Sequence, residues 1–297
     1  MLFTLCVPPM VRAVRARQPV PRSLQSLCCW FRGLGNGILR DRKRGIQVHV
    51  KVFETSDGLA RAAAHHAATV LNDAVQIRGG ARLLLSTGAS QIEVLKYLVE
   101  ADVKWDVIKV FHLDEYLGLD ATHPASFRKY IQERVENLVH PNRVHYVTPD
   151  DDVTVTLRAL AEEVSLPIDV ALVGIGENGH IAFNDPPADF TTQEAYIVVH
   201  LDERCKRQQV REGWFRSLDE VPNQAITMTP YQILQSKVII SCVPFSVKAQ
   251  AVKQTLEMEE TNHVPATILK RHPNATLYLD AESASLVDRN KIPLGTK

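Results

Sequence analysis

The chain has 297 residues, 45% of them hydrophobic and 23% charged, a globular composition long enough for one large domain or two small ones. Its 34 basic residues balance 34 acidic ones, but nine bases (Arg12, Arg15, Arg17, Arg22, Arg32, Arg40, Arg42, Lys43 and Arg44) precede residue 46 against a single acid, Asp41. The remaining 252 residues therefore carry a net charge of about −8, which argues against a nucleic-acid partner, and no run of 18 apolar residues occurs that would span a bilayer.

Residues 1–45 mix Arg, Pro, Ser and Cys without an apolar period. This composition superficially resembles an organellar transit peptide, but a basic extension without regular structure is the stronger reading. We take the second reading and assign residues 46–297 to one folded domain. Cys6, Cys28 and Cys29 lie in the extension, and only Cys205 and Cys242 in the rest, without paired CxxC spacing. Neither a disulfide framework nor structural zinc is expected, which suits a reducing, cytoplasmic setting.

From Ile46 the pattern becomes regular. The run IQVHVKVF alternates as a strand, and Thr55-Ser56-Asp57 then offers caps for an Ala-rich helix to about Ile77, closed by Gly79-Gly80. ARLLLS reads as a strand, Gln91–Glu100 as a helix, VIKVFHL as a strand, Ser126–Val139 as a helix, VHYVT as a strand and Val153–Val164 as a helix. IDVALVGIG reads as a fully buried strand. YIVVHL, a polar helix over Arg204–Arg211, VIISCV, a helix from Ser246 to about Glu257, and ATLYLD complete the series. Alternating strands and helices predict an α/β fold: a Rossmann-like, three-layer αβα domain with a mostly parallel central sheet. Its functional residues belong in the loops after the strand C-termini.

Three such loops carry chemistry. Ser86-Thr87-Gly88-Ala89-Ser90 runs from a strand into a helix, where backbone N–H groups and small hydroxyls can cradle a phosphate; taken alone it reads more readily as an ordinary turn capped by Ser90. His112-Leu113-Asp114-Glu115-Tyr116 places two carboxylates at a strand end. Asp114 there can take a proton alpha to a carbonyl or imine, or can simply cap a turn while Glu115 faces solvent. The third loop, from Gly174 through Gly176, Asn178, Gly179, His180 and Asn184 to Asp185 and Pro186, has GxGxxG spacing, but Pro186 and Pro187 break the helix a dinucleotide site requires. It better presents His180, with Asp185 turning back to hold one imidazole nitrogen, or else a structural His–Asp pair. Lys248 follows the VIISCV strand, where it would meet a phosphate as a point charge or stand as a surface lysine. His65, His66, His112, His123, His140 and His272 lack HExxH-type spacing, so no metal is expected.

Together, the Ser86–Ser90 loop, LDEYLGL with HPASF at 123–127, GIGENGHIAFNDP, Lys248 and VPATILKRHP resemble the glucosamine-6-phosphate deaminase (isomerase) family, which is homologous to the 6-phosphogluconolactonases. The likeness runs from about Val52 to about Val287. It implies a small-molecule partner, a 2-amino-2-deoxyhexose 6-phosphate, with its phosphate on Ser86, Thr87, Gly88, Ala89, Ser90 and Lys248, and with Glu115 and Gly176 also in the binding site. It further implies that His180, supported by Asp185 and Asn178, assists ring opening. Asp114 would move a proton from C2 to C1 through an enolamine, and water would release ammonia and fructose 6-phosphate. No metal or organic cofactor is implied, and a homo-oligomer is compatible.

This chain departs from the family pattern at Asn178, where an Asp is usual, at Asp185, where a Glu is usual, and at Gln209, where a phosphate-gripping Arg is usual, with Arg207 or Arg211 as substitutes. The alternative functions are a 6-phosphogluconolactonase-like hydrolase and a sugar-phosphate-binding protein with weakened catalysis.

Overall fold

Alternation along the strands sets the architecture. In the computed structural model, which describes residues 37–40, 47–149 and 152–288, Leu83 and Leu85 pack on one side of a sheet with Val170, Leu172 and Ile240. Leu84 packs on the other side with Ala171, Val173 and Ile239. Strands buried on both faces need two covering layers, so helices flank both sides of the sheet.

The strands are β1 (Gly37–Arg40), β2 (Gln47–Phe53), β3 (Ala81–Leu85), β4 (Ile108–His112), β5 (Asp114–Tyr116), β6 (Arg143–His145), β7 (Val170–Val173), β8 (Tyr196–His200), β9 (Gln224–Met228), β10 (Val238–Val243) and β11 (Ala275–Asp280). The central sheet has the order β1-β2-β11-β10-β7-β3-β4-β6. From β2 to β6 every pairing is parallel, as expected, and β1 adds an antiparallel edge. Those four residues fall inside the segment expected to lack regular structure; the rest of the basic extension lies outside the described residues.

The main helices are α1 (Ser56–Arg78), α2 (Ile92–Glu100), α3 (Phe127–Ile131), α4 (Asn137–Val139), α5 (Val153–Glu163), α6 (Glu203–Arg211), α7 (Pro230–Leu234) and α8 (Ala249–Glu257). A single π-turn, Gln132–Glu136, joins α3 to α4, so the helix expected over Ser126–Val139 is continuous but widened. In α1, the Thr55 side chain accepts from Gly58 N, and Gly79 closes the helix at φ 77°. Ala60, Ala63, Ala64, Ala67 and Ala68 lie between Leu59 and Leu71 on its buried stripe, so small side chains let the helix approach the sheet closely. Each buried leucine contributes roughly 1.5–3 kcal/mol.

One strand was expected in the wrong sheet. YIVVHL does not join the parallel sheet: β8 pairs antiparallel with β9, which pairs antiparallel with β5, forming a separate three-stranded sheet. The reason is the connection, because residues 174–195 between β7 and β8 hold no helix, and a parallel return normally requires one. Below this small sheet Tyr116, Phe127, Phe183 and Phe215 form an aromatic cluster. No helix among the described residues is long and apolar enough to cross a membrane.

Because β10, β7, β3 and β4 are consecutive and parallel, the loops at their C-terminal ends open side by side.

Candidate active site

Those four loops line a cleft that is partly open to solvent. Ser86, Thr87, Gly88, Ala89 and Ser90 line it after β3, Asp114 after β4, Gly176 and His180 after β7, and Lys248 after β10. The structure thus brings together nine of the residues singled out in the sequence and sets Glu115, Asn178 and Asp185 behind the wall.

After β3 the chain turns at Gly88, whose φ of 99° and ψ of 170° favour glycine, into a 3₁₀ turn, Ala89–Gln91, that leads to α2. Ser90 lies inside that turn and caps nothing; neither helix start has a side-chain cap. The buried Ser86 hydroxyl has no hydrogen-bond partner and lines the cleft. Tyr130 fixes the loop by donating from its hydroxyl to Gly88 O at 3.1 Å.

Asp114 opens β5 opposite Thr227 and is 4% exposed. Burial, reinforced by the neighbouring Glu115 carboxylate, pushes its pKa well above the usual carboxylate range. Such a group holds a proton more readily than an ordinary carboxylate and is suited to proton transfer.

Glu115 neither faces solvent nor reaches the cleft. It is fully buried and accepts from Tyr116 N, the Ser126 hydroxyl, Phe127 N, and both N and Nε of Arg128. The carboxylate therefore ties the start of α3 to β5 and, through the chain, fixes Asp114.

The loop after β7 is built around His180. Its backbone folds over itself through Gly176 N to His180 O at 2.9 Å and Gly179 N to Gly176 O at 3.0 Å. Asn178 accepts from His180 N at 3.1 Å and donates through Nδ2 to Asp185 Oδ1 at 3.0 Å. Asp202 N donates to the other Asp185 oxygen at 3.1 Å. Burial raises the Asp185 pKa, but the contacts from His180, Asn178 and Asp202 outweigh it, so the carboxyl lies below its ordinary value. His180 Nδ1 stands 3.0 Å from Asp185 Oδ1, an ion-pair distance, yet the ring N–H direction misses the oxygen and leaves Nδ1 without a hydrogen bond. Catalytic pairs are often slack in this way before substrate arrives.

Lys248 is 5% exposed at the end of a 3₁₀ turn, Ser246–Lys248, that starts α8. Burial lowers its pKa, opposed by the negative charges of Glu212 and Glu177.

The expected arginine grip is not formed. Arg207 is bound to Glu203 on the surface and Arg211 to Glu177, and neither lines the cleft. Gln208, Gln209 and Glu212 line it instead. Gln208 accepts from Glu177 N at 3.3 Å and donates to Glu212 at 2.7 Å, while Trp214 Nε1 donates to Glu212 at 3.1 Å. Gln208 and Glu212 were missed in the sequence, although they stand three and seven residues after Cys205, on one helical face with it.

The sequence profile of the family described as glucosamine-6-phosphate isomerases/6-phosphogluconolactonase matches residues 54–278. The glucosamine-6-phosphate deaminase of Staphylococcus epidermidis is 36% identical over 233 residues, covering 75% of this chain and 94% of that protein. The enzyme of the same name from Thermoanaerobacter pseudethanolicus is 32% identical over 230 residues, covering 74% and 89%. Among solved structures, a monomeric glucosamine-6-phosphate deaminase superimposes with a TM-score of 0.74 at 30% identity, over 80% of this chain and 99% of its own. The 6-phosphogluconolactonase of Trypanosoma brucei shares the fold, with a TM-score of 0.67 at 17% identity over 82% and 100%.

Proposed function

Because the chain belongs to the family of glucosamine-6-phosphate isomerases and 6-phosphogluconolactonases, we propose that it converts glucosamine 6-phosphate into fructose 6-phosphate and ammonia. The observation that carries this reading is the meeting in one cleft of Asp114, a buried carboxyl with a raised pKa, and His180, an imidazole backed by a carboxylate.

The 6-phosphate lies on the Ser86–Ser90 loop, with the Ser86 hydroxyl and the Lys248 ammonium as its ligands. Gln208 and Gln209 supply neutral amide donors where the family pattern has a guanidinium. His180 delivers a proton to the ring oxygen as the pyranose opens, and Asp185 stabilises the imidazolium form. Asp114 then takes the C2 proton and returns it to C1, so the aldose becomes a ketose imine through an enolamine. Water adds to the imine carbon and ammonia leaves.

Asn178 fits this scheme as a bridge, accepting from the backbone of His180 and donating to Asp185. It therefore orients the pair without adding a second negative charge. The reaction suits a cytoplasmic, reducing compartment, where the buried cysteines Cys205 and Cys242 remain free thiols.

The test is incubation with glucosamine 6-phosphate, following ketose phosphate and ammonia together, beside Asp114→Asn and with galactosamine 6-phosphate and 6-phosphogluconolactone in parallel. Stoichiometric products from one amino sugar, lost in Asp114→Asn, support the deaminase. Lactone hydrolysis that survives Asp114→Asn, without amino-sugar turnover, assigns a hydrolase. Sugar-phosphate binding without turnover of any of the three assigns a binding protein.

A further inference from the structure

Behind the His180–Asp185 pair lies a third group that the proposed reaction does not use. Cys205, on the inner face of α6, is 1% exposed, and its Sγ, a ring nitrogen of His180 and a carboxylate oxygen of Asp185 all lie within 4.8 Å of one another. The His180 ring is nine-tenths buried, and Nδ1, the nitrogen 3.0 Å from Asp185, has no hydrogen bond. A thiol, an imidazole nitrogen without a well-aligned hydrogen bond and a carboxylate at one point form a donor set suited to a borderline-soft divalent cation.

We propose that His180, Asp185 and Cys205 form a zinc-class cation site whose occupation switches off the cleft. Zinc bonds of about 2.3 Å to sulfur and about 2.0–2.2 Å to nitrogen and oxygen put tetrahedral ligands roughly 3.3–3.8 Å apart. The three atoms lie within 4.8 Å of one another, so capture draws in the widest pair by at most about 1.5 Å. Three protein ligands leave the fourth position to water. The cation takes the Nδ1 lone pair of the His180 tautomer protonated at Nε2 and displaces the Cys205 thiol proton to solvent, with no change of oxidation state. The Asp185 carboxylate then serves the metal and no longer supports a proton on the imidazole.

The inhibitory consequence rests on the proposed deaminase reading; metal binding does not. The test uses the full chain with Cys6, Cys28 and Cys29 replaced by Ser, so that Cys205 and Cys242 are the remaining thiols. Cobalt(II) is titrated, and its thiolate charge-transfer absorption is recorded. One cobalt per chain with that band, displaced by zinc, lost in Cys205→Ser and Cys205→Ala and retained in Cys242→Ala, supports the site. Absence of the band, or its survival in a folded Cys205→Ala protein, overturns it. Asp185→Asn keeps the thiol and the shape, and is expected to weaken cobalt binding at least tenfold; unchanged affinity also counts against the site. Where amino-sugar turnover is present, zinc inhibition is expected to weaken at least tenfold in Cys205→Ser, and equal inhibition removes the switch. Where turnover is absent, the cobalt band still decides the site, so the two readings fail separately.

Discussion

Gly176 lies directly against the imidazole of His180: a Cβ on Gly176 would stand 2.2 Å from both Cε1 and Nε2 of the ring. That distance is far inside van der Waals contact, so the glycine is what allows the loop to hold the ring where it does. Gly176→Ala is expected to push His180 out of place, at about 1–3 kcal/mol of overpacking. Because a displaced catalytic group of this kind reduces turnover roughly a hundredfold, steady-state kinetics should show a fall in kcat much larger than the change in KM, together with a lower Tm.

Asp114→Asn is expected to move activity and stability in opposite directions. Loss of a general base reduces turnover by roughly 10²–10⁴-fold. Since burial raises the Asp114 pKa above its unfolded value, its favourable contribution to stability is present at acid pH and is lost as pH rises through the folded pKa. The neutral amide escapes that loss, so Tm of Asp114→Asn relative to the parent should rise as pH increases above the ordinary carboxylate range. In the parent, kcat/KM should fall on the acid side with an apparent pKa above the ordinary carboxylate range.

Among the described residues Lys248 is the one lysine or arginine lining the cleft, and it shares that end with the Glu212 carboxylate. Lys248→Met removes a charge-assisted contact of about 1.5–3 kcal/mol, which corresponds to roughly a tenfold to hundredfold rise in KM. Gln209→Arg places a second cation on the same wall, next to Glu212, and is expected to lower KM several-fold. An unchanged KM in both variants would place the phosphate elsewhere.

Much of the fold was legible because the period of the sequence carried it. The alternation of Val48, Val50 and Val52 marked β2, the Ala-rich stripe with Thr55 and Gly79 at its ends marked α1, and the unbroken apolar run at Val170–Val173 marked a strand buried on both faces. The second sheet was not legible. Gln224–Met228 lies between Pro222 and Pro230, and its partners Asp114–Tyr116 and Tyr196–His200 are distant in sequence. Pairings of that kind leave no local signature. In the site, the loop residues were legible because each follows a strand, whereas Glu115 was misplaced: its role depends on five donors from β5 and the start of α3 that come together only in the fold.

Glu115→Gln tests that structural role. The substitution keeps the shape but turns an NH₂ group toward donors, including the Arg128 guanidinium and backbone N–H groups. Breaking a buried, hydrogen-bonded ion pair costs about 3–5 kcal/mol, on the order of 10 °C in Tm. Thermal unfolding should show this drop, while KM of the protein that remains folded stays near the parent value.

The central claim is that Asp114 carries a proton between adjacent carbons of an amino-sugar phosphate. It is tested most directly by running the reaction with glucosamine 6-phosphate in D₂O and locating deuterium in the product by NMR. Fructose 6-phosphate is expected to keep at C1 the hydrogen drawn from C2, in excess over solvent deuterium, because Asp114 carries it while buried, with one equivalent of ammonia formed and both products lost in Asp114→Asn. Turnover of equal rate in Asp114→Asn, or no turnover of any 2-amino-2-deoxyhexose 6-phosphate by the folded parent, would contradict it.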